Sequence, residues 1–341
     1  MKKWFVLSAI VIGIASFTTI TTKNGNNDPE AIKKAINKSL PLLQTTSHTF
    51  LENAGGCQSC HHQDLTAVSL SLAKEKGFQI NEAGLSEIFD SIQQVIRSRK
   101  EVLAQNDDPV AIVMSSGYQL WALWANKYKS NKLIEMLVKN LMQRQTGEGS
   151  WVSPNPRPPL EFYSFSATAL MVAAIQYYSP PSLKPEVAQR IEKAGAWMIR
   201  TVPETNEEKV FQILGLTWIN GDKKFIEQQA KKLLATQRED GGWSQLTNLE
   251  SDSYATGQAL YALYESGQLK ADDPAYQKAV SFLLKTQYED GSWKVKSRSI
   301  PFVPFVQNGF PHDKDQFISA AGTNWATIAL TLAVNNKRGL N

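Results

Sequence analysis

Cysteine and histidine are the scarce residues of this 341-residue chain: there are two Cys and four His. Two thiols placed three positions apart, Cys57 and Cys60, cannot build the disulfide framework of a small secreted domain. Charge of one sign is also lacking. Lys plus Arg number 36 against 32 Asp plus Glu, a formal net charge of +4, so no concentrated basic surface for nucleic acid is expected. Long apolar runs are absent apart from one near the N-terminus. With 42% hydrophobic and 20% charged residues, the composition is that of a folded globular protein.

The one apolar run lies in "MKKWFVLSAIVIGIASF", where two lysines precede about 13 apolar positions. That length is short for a membrane span and right for the core of a secretory signal. Residues 1–22 are therefore read as a signal peptide or N-terminal anchor, and the rest as exported, periplasmic or beyond. No cysteine follows the run, which argues against a bacterial lipid anchor. Membrane contact is expected only through an uncleaved leader.

The remainder repeats itself. "QTGEGSW" (Gln145–Trp151), "QREDGGW" (Gln237–Trp243) and "QYEDGSW" (Gln287–Trp293) all fit Gln-x-x-x-Gly-x-Trp. The intervals of 92 and 50 residues leave room for one degenerate copy, at "KAGAWMIRTVPETNEEK". Each copy is flanked by helical patterns. First helices are expected near 29–44, 84–105, 131–145, 184–201, 222–237 and 273–287, and second helices near 64–76, 113–128, 163–178, 208–220, 252–266 and 317–334. Two helices per unit over six units is a helical repeat, forming an open solenoid or a closed ring. Small residues on the second helices, such as Ala255, Gly257, Ala259 and Ala262, allow close packing. In each loop, Gln can bond backbone at a helix end, Gly permits the turn and Trp covers the hairpin.

These loops resemble those of squalene-hopene and oxidosqualene cyclases and the wider group with protein prenyltransferase β subunits, which carry the prenyltransferase/squalene oxidase repeat. The resemblance covers residues 28–341. It implies an all-α (α/α)6 toroid of six hairpins, with inner helices running parallel and their N-termini around one mouth of a cavity. It also assigns a candidate acid. "ESDSYATG" matches the cyclase Asp-x-Asp-Asp stretch, with Glu250 for the first position, Asp252 for the catalytic middle one and Ser253 for the last. Asp252 is equally placed to cap the helix that follows. Tyr254 stands where prenyltransferases place a zinc-binding Cys, so that site is not matched. Aromatic residues on the second helices, among them Trp121, Trp218, Tyr261 and Trp325, could wall a cavity for an apolar small molecule.

Both cysteines lie in "CQSCHH", where the first hairpin should carry its Gln-Trp loop. Cys-x-x-Cys-His is the signature of c-type haem attachment. Two thiols reach two vinyl groups of one porphyrin, and the next imidazole binds iron. Cys57, Cys60 and His61 are thus expected to hold haem c, with zinc as the alternative metal and a dithiol redox pair behind it. For the opposite face of the iron, His312 is first choice, Met114 second and His48 third, since ring closure would place the last loop beside the first. The resulting expectation is an exported redox or sensing protein for an isoprenoid-like ligand, with a redox partner. The alternative is a cyclase-like isomerase in which the cysteine motif is structural or binds zinc.

Overall fold

The computed structural model describes residues 27–56, 58–107, 112–153, 157–300 and 306–334. The leader and Cys57 lie outside the described residues. Thirteen α-helices are present among them, arranged as six hairpins. α1 (Pro29–Asn53) pairs with α2 (Leu65–Glu75). α3 (Glu82–Ser98) and the short α4 (Lys100–Ala104) pair with α5 (Ile112–Ala125). α6 (Lys132–Met142) leads to α7 (Ser164–Tyr178), α8 (Lys184–Arg200) to α9 (Asn206–Trp218), α10 (Lys223–Leu234) to α11 (Ser253–Glu265), and α12 (Pro274–Thr286) to α13 (Gln316–Ala333).

The burial pattern sorts the helices into two layers. The first helix of each hairpin buries one stripe, as α3 does with Leu85, Ile88, Ile92 and Ile96. The second is buried almost all round: α13 buries nearly its whole length and α7 all but three residues. A helix buried on every side has neighbours on every side. Each of α2, α5, α7, α9, α11 and α13 packs on the next, and α13 packs on α2, which closes the ring. The architecture is an all-α (α/α)6 toroid. Gly257 permits one such contact: any Cβ there would strike the Trp325 backbone on α13.

Two helix boundaries differ from the sequence expectation. α1 continues to Asn53 through Pro41, because Ser47, Phe50 and Leu51 extend its buried stripe. The helix expected over 84–105 breaks at Arg99 into α3 and α4.

The repeat loops act as clamps between hairpins. Gln145 Nε2 donates to Gly149 O (2.9 Å) within its loop and to Arg190 O (2.8 Å) on α8. Gln237 repeats this on Gly241 O and Ala275 O of α12, and Gln287 on Gly291 O (3.1 Å) and Ala35 O (2.9 Å) of α1. Trp151, Trp243 and Trp293 are fully buried, and each indole N–H bonds the carbonyl ten residues back, at Leu141, Leu233 and Leu283. The third clamp joins the last hairpin to the first. A second latch is Asn324 on α13, which accepts from Ser69 Oγ (2.8 Å) and donates to Thr66 Oγ1 (3.2 Å), both on α2. The degenerate fourth loop is braced differently: Gln212 of α9 donates to Met198 O (2.6 Å) and Thr201 O (3.2 Å) at the end of α8.

Gly291 has φ of 90° and lies so close to Lys38 O that a Cβ would collide with it. Gly291→Ala should therefore lower stability by about 2 kcal/mol or more in denaturant titration. Gly147→Ala, with nothing within 4 Å of its Cβ position, should leave stability unchanged within about 0.5 kcal/mol.

Candidate functional site

The N-termini of the inner helices meet at one mouth of the ring, and the chemistry-bearing residues gather there. The first comes from a π-helical turn, Cys60–Asp64, which feeds directly into α2. Ser59 starts it by accepting from His62 N–H on its hydroxyl (3.2 Å). Gln63 fastens it: its Oε1 accepts from Ser59 N–H (2.8 Å) and its Nε2 donates to Ser47 O (2.7 Å) on α1. Asn324 of α13 donates to His61 O (3.2 Å), so the turn is also fastened across the closure.

The side chains of this turn are packed away from water. Cys60 is 3% exposed, and its thiol donates to Glu161 Oε1 (3.0 Å) in the segment before α7. Burial, reinforced by the Glu161 carboxylate, pushes the Cys60 thiol well above its ordinary range, so it stays protonated. Arg157 pairs with Glu161 (3.5 Å). His61 stacks on Phe317 (centroids 5.0 Å apart, planes 4° apart), and His62 on Phe50 (5.0 Å, 20°). Their Nδ1 atoms approach to 3.0 Å. Burial holds His61 well below the usual histidine range, helped by His62 and Arg157, and holds His62 down to about 3. Both imidazoles are neutral at physiological pH. Asp64 is 1% exposed, and burial raises it well above the carboxylate range.

The other sequence candidates are spread around the mouth. His312, at φ 81°, bonds Ser292 Oγ through Nε2 (2.8 Å) and lies edge-on to Tyr288. Phe310 is in ring contact with both His62 and His312. Met114 is buried on α5. His48 sits outside on α1, where its Nδ1 lies 2.9 Å from Glu87, which raises its pKa. Cys60, His61 and His62 are thus brought together, Phe310 stands between His62 and His312, and the ion pair of His48 lies elsewhere. Among the described residues, no group of three or more His, Cys, Asp or Glu is arranged to hold a metal ion.

Asp252 does cap α11, accepting from Ala255 N–H (2.8 Å). Its second oxygen accepts from Gln245 Nε2 (2.9 Å), whose Oε1 in turn accepts from Arg298 Nε (2.8 Å). Burial raises Asp252 to about 6 against these hydrogen bonds. Asp252, Ser253 and Arg298 line an open groove of about 1040 Å³ between the loop before α11 and the segment 285–298.

The sequence reading did not pick out Glu207. It is the second residue of α9, 2% exposed, and accepts from Tyr254 Oη (3.0 Å) and Gln258 Nε2 (2.7 Å) of α11. Burial raises it to about 8. The signal for it is the capping box Thr205-x-x-Glu208, which starts α9 and leaves Glu207 as the acid that the box does not use. Tyr118 of α5 is buried in the same region, and Glu207, Cys60 and Glu161 all raise its pKa. Below these polar groups the expected aromatic wall closes on itself. Trp121 lies 5.6 Å from Trp325, 5.8 Å from Trp218 and 5.9 Å from Tyr261.

No protein-family model matches the chain. Solved structures do. A type II terpene cyclase, MstE from Scytonema, matches at TM-score 0.54 and 13% identity, over 90% of this chain and 99% of that one. A protein from Actinoplanes matches at 0.55 and 12%, over 89% and 100%. A possible member of the GH105 family from Klebsiella pneumoniae matches at 0.51 and 11%, over 97% and 99%. At these identities the likeness is one of fold: the chain has the cyclase-like helical toroid.

A carboxyl whose pKa is raised on folding destabilises the fold as pH climbs from its unfolded value to its folded one. For Glu207 that window runs from 4.5 to about 8. Glu207→Gln should therefore gain stability relative to the native chain across this window, by up to about 5 kcal/mol, and hold that difference above it. Denaturant midpoints of both proteins at pH 4.5 and pH 9 check this.

Proposed function

We propose that this toroid is an exported haem c protein, a redox or sensing protein for an apolar, isoprenoid-like molecule. Cys57 and Cys60 would hold the porphyrin and His61 the iron. The observation that carries this reading is the π-turn, which presents a thiol and a neutral imidazole on successive residues at the mouth of the ring. A neutral imidazole is the form that binds a metal. The surroundings fit the group in chemistry: Phe50, Phe310 and Phe317 give the imidazoles an apolar wall, and Arg157 offers a cation to an anionic edge.

Bound there, a haem would supply one-electron transfer or a ligand-accepting iron. The chain's own residues do the rest. Asn324 and Gln63 fix the turn, so the imidazole is oriented before anything binds. The Cys60 thiol, kept protonated beside Glu161, would be the described sulfur that holds the porphyrin. Phe317 excludes water from one face of His61. His312 and Met114 would be the further residues available to hold the iron.

The cyclase-like alternative has its own support in Asp252, a half-buried carboxyl with raised pKa beside a groove large enough for a small molecule.

Expression with export and haem-attachment machinery, followed by intact-mass and visible spectroscopy, tests the haem reading. The mature chain should gain the mass of one haem and absorb as a c-type cytochrome. Cys60→Ala should abolish stable double attachment, and His61→Ala should change the iron's spin state. A colourless chain without added mass, matured under those conditions, contradicts it.

A further inference from the structure

The last repeat loop leaves its tryptophan as an extended segment. Over 293–300 the chain has neither helix nor turn, and its burial alternates at first: Trp293 and Val295 are buried, Lys294 and Lys296 exposed. Its backbone alternates in step. Trp293 N–H donates to Thr323 Oγ1 (3.0 Å), Val295 N–H to Ser319 Oγ (3.0 Å) and Ser297 N–H to Asp315 Oδ1 (2.9 Å). Those acceptors stand four residues apart, two on α13 and one at its start. Four residues of helix rise about 6 Å, and two residues of extended chain about 6.6 Å. The two spacings match, so α13 holds the segment extended along its side.

In an extended chain the N–H and C=O groups of successive residues point to opposite edges. The odd-numbered residues face α13, so Lys294 and Lys296 turn their backbone groups the other way. Among the described residues, neither of those N–H groups has a hydrogen-bond partner. This outer edge borders the groove of about 1040 Å³, which Lys294, Lys296 and Arg298 line. An unpaired edge of extended chain is a template on which another strand can pair.

The side chains say what kind of strand. Lys294, Lys296 and Arg298 share one face of the segment by its period of two. Lys294 has one ion partner, Asp315, at 4.0 Å. Arg298 donates through Nε to Gln245 Oε1 (2.8 Å), and its Nη2 is buried without a partner. Glu250, Asp252 and Glu289 also line the groove, and none of them is ion-paired with these cations among the described residues. Leu249, Phe282 and Trp293 supply its apolar lining.

We propose that segment 293–298 is a docking edge for an extended peptide of a partner protein, which adds as a strand beside Lys294 and Lys296 and carries acidic and apolar residues in alternation. Side chains directly opposite in paired strands lie on the same face. Acidic residues of the partner therefore stand beside Lys294, Lys296 and Arg298, while the residues between them face the apolar lining. From Lys294 to Arg298 the segment spans about 13 Å, the length of five partner residues. Backbone pairing gives affinity and the alternating side chains give specificity. This docking depends on neither haem attachment nor the acidity of Asp252.

The test titrates a fluorescein-labelled peptide, Glu-Val-Glu-Val-Glu-Val-Glu, with the full folded chain and reads anisotropy. Saturable binding is expected, and the sign-reversed Lys-Val-Lys-Val-Lys-Val-Lys should not bind. N-methylation of every second peptide amide, in one of its two registers, should weaken binding about tenfold or more, because it removes backbone bonds and leaves the charge. Lys296→Pro should weaken binding equally with native circular dichroism retained, since the N–H it removes is unbonded in the free chain. Hydrogen exchange at the Lys294 and Lys296 amides should slow when the peptide binds. Absence of saturable binding, equal binding of the lysine peptide, or binding that neither N-methylated register weakens overturns the proposal.

Discussion

The structure depends on closure of a ring. Each of the three Gln-x-x-x-Gly-x-Trp loops folds its glutamine amide onto its own glycine carbonyl and onto the next outer helix. The last of them, through Gln287 and Gly291, has α1 as its next helix. Without that contact the inner helices would expose a face at either end of the array, and the bonds of Asn324 with Ser69 and of Thr327 with Ser39 across the closure would be lost. Buried polar atoms cost more unpaired than they contribute paired, so the closure is specific as well as stabilising. It also decides the chemistry. Glu161, Arg298 and Glu207 belong to units far apart in sequence, and only a closed ring brings them to one mouth with Cys60.

At that mouth, burial is the dominant electrostatic term. It keeps Cys60 protonated, both imidazoles of the turn neutral, and Glu207 and Asp252 raised to about 8 and about 6. The mouth is therefore a place where titratable groups are poised rather than charged.

Much of the ring was legible in the sequence. The Gln, Gly and Trp spacing identified three clamps, and the helical periodicity identified twelve helices, ten of them within a few residues of their bounds. The reading of Asp252 as a cap was also visible, because capping is a local matter. The failures are equally physical. The first helix was expected to end near residue 44, yet buried side chains beyond it carry the helix on to Asn53. Glu207, in the polar stretch "ETNEEK", looked like solvated loop, since nothing local tells that α11 will bury it. Glu161 and Arg298 carry no local signal either; their roles arise from partners in distant units. The aromatic residues of the second helices could be read as core or as the wall of a cavity, and in the structure Trp121 meets Trp218, Tyr261 and Trp325.

Native-state hydrogen exchange tests the closure most directly. If the clamp of Gln287 on Ala35 shuts the ring, the amides of α1 and α13 should exchange with one common free energy in the native chain, and Gln287→Ala should lower protection in both helices together. Exchange of α1 as an independent unit, with α13 unaffected by that substitution, would contradict a closed toroid.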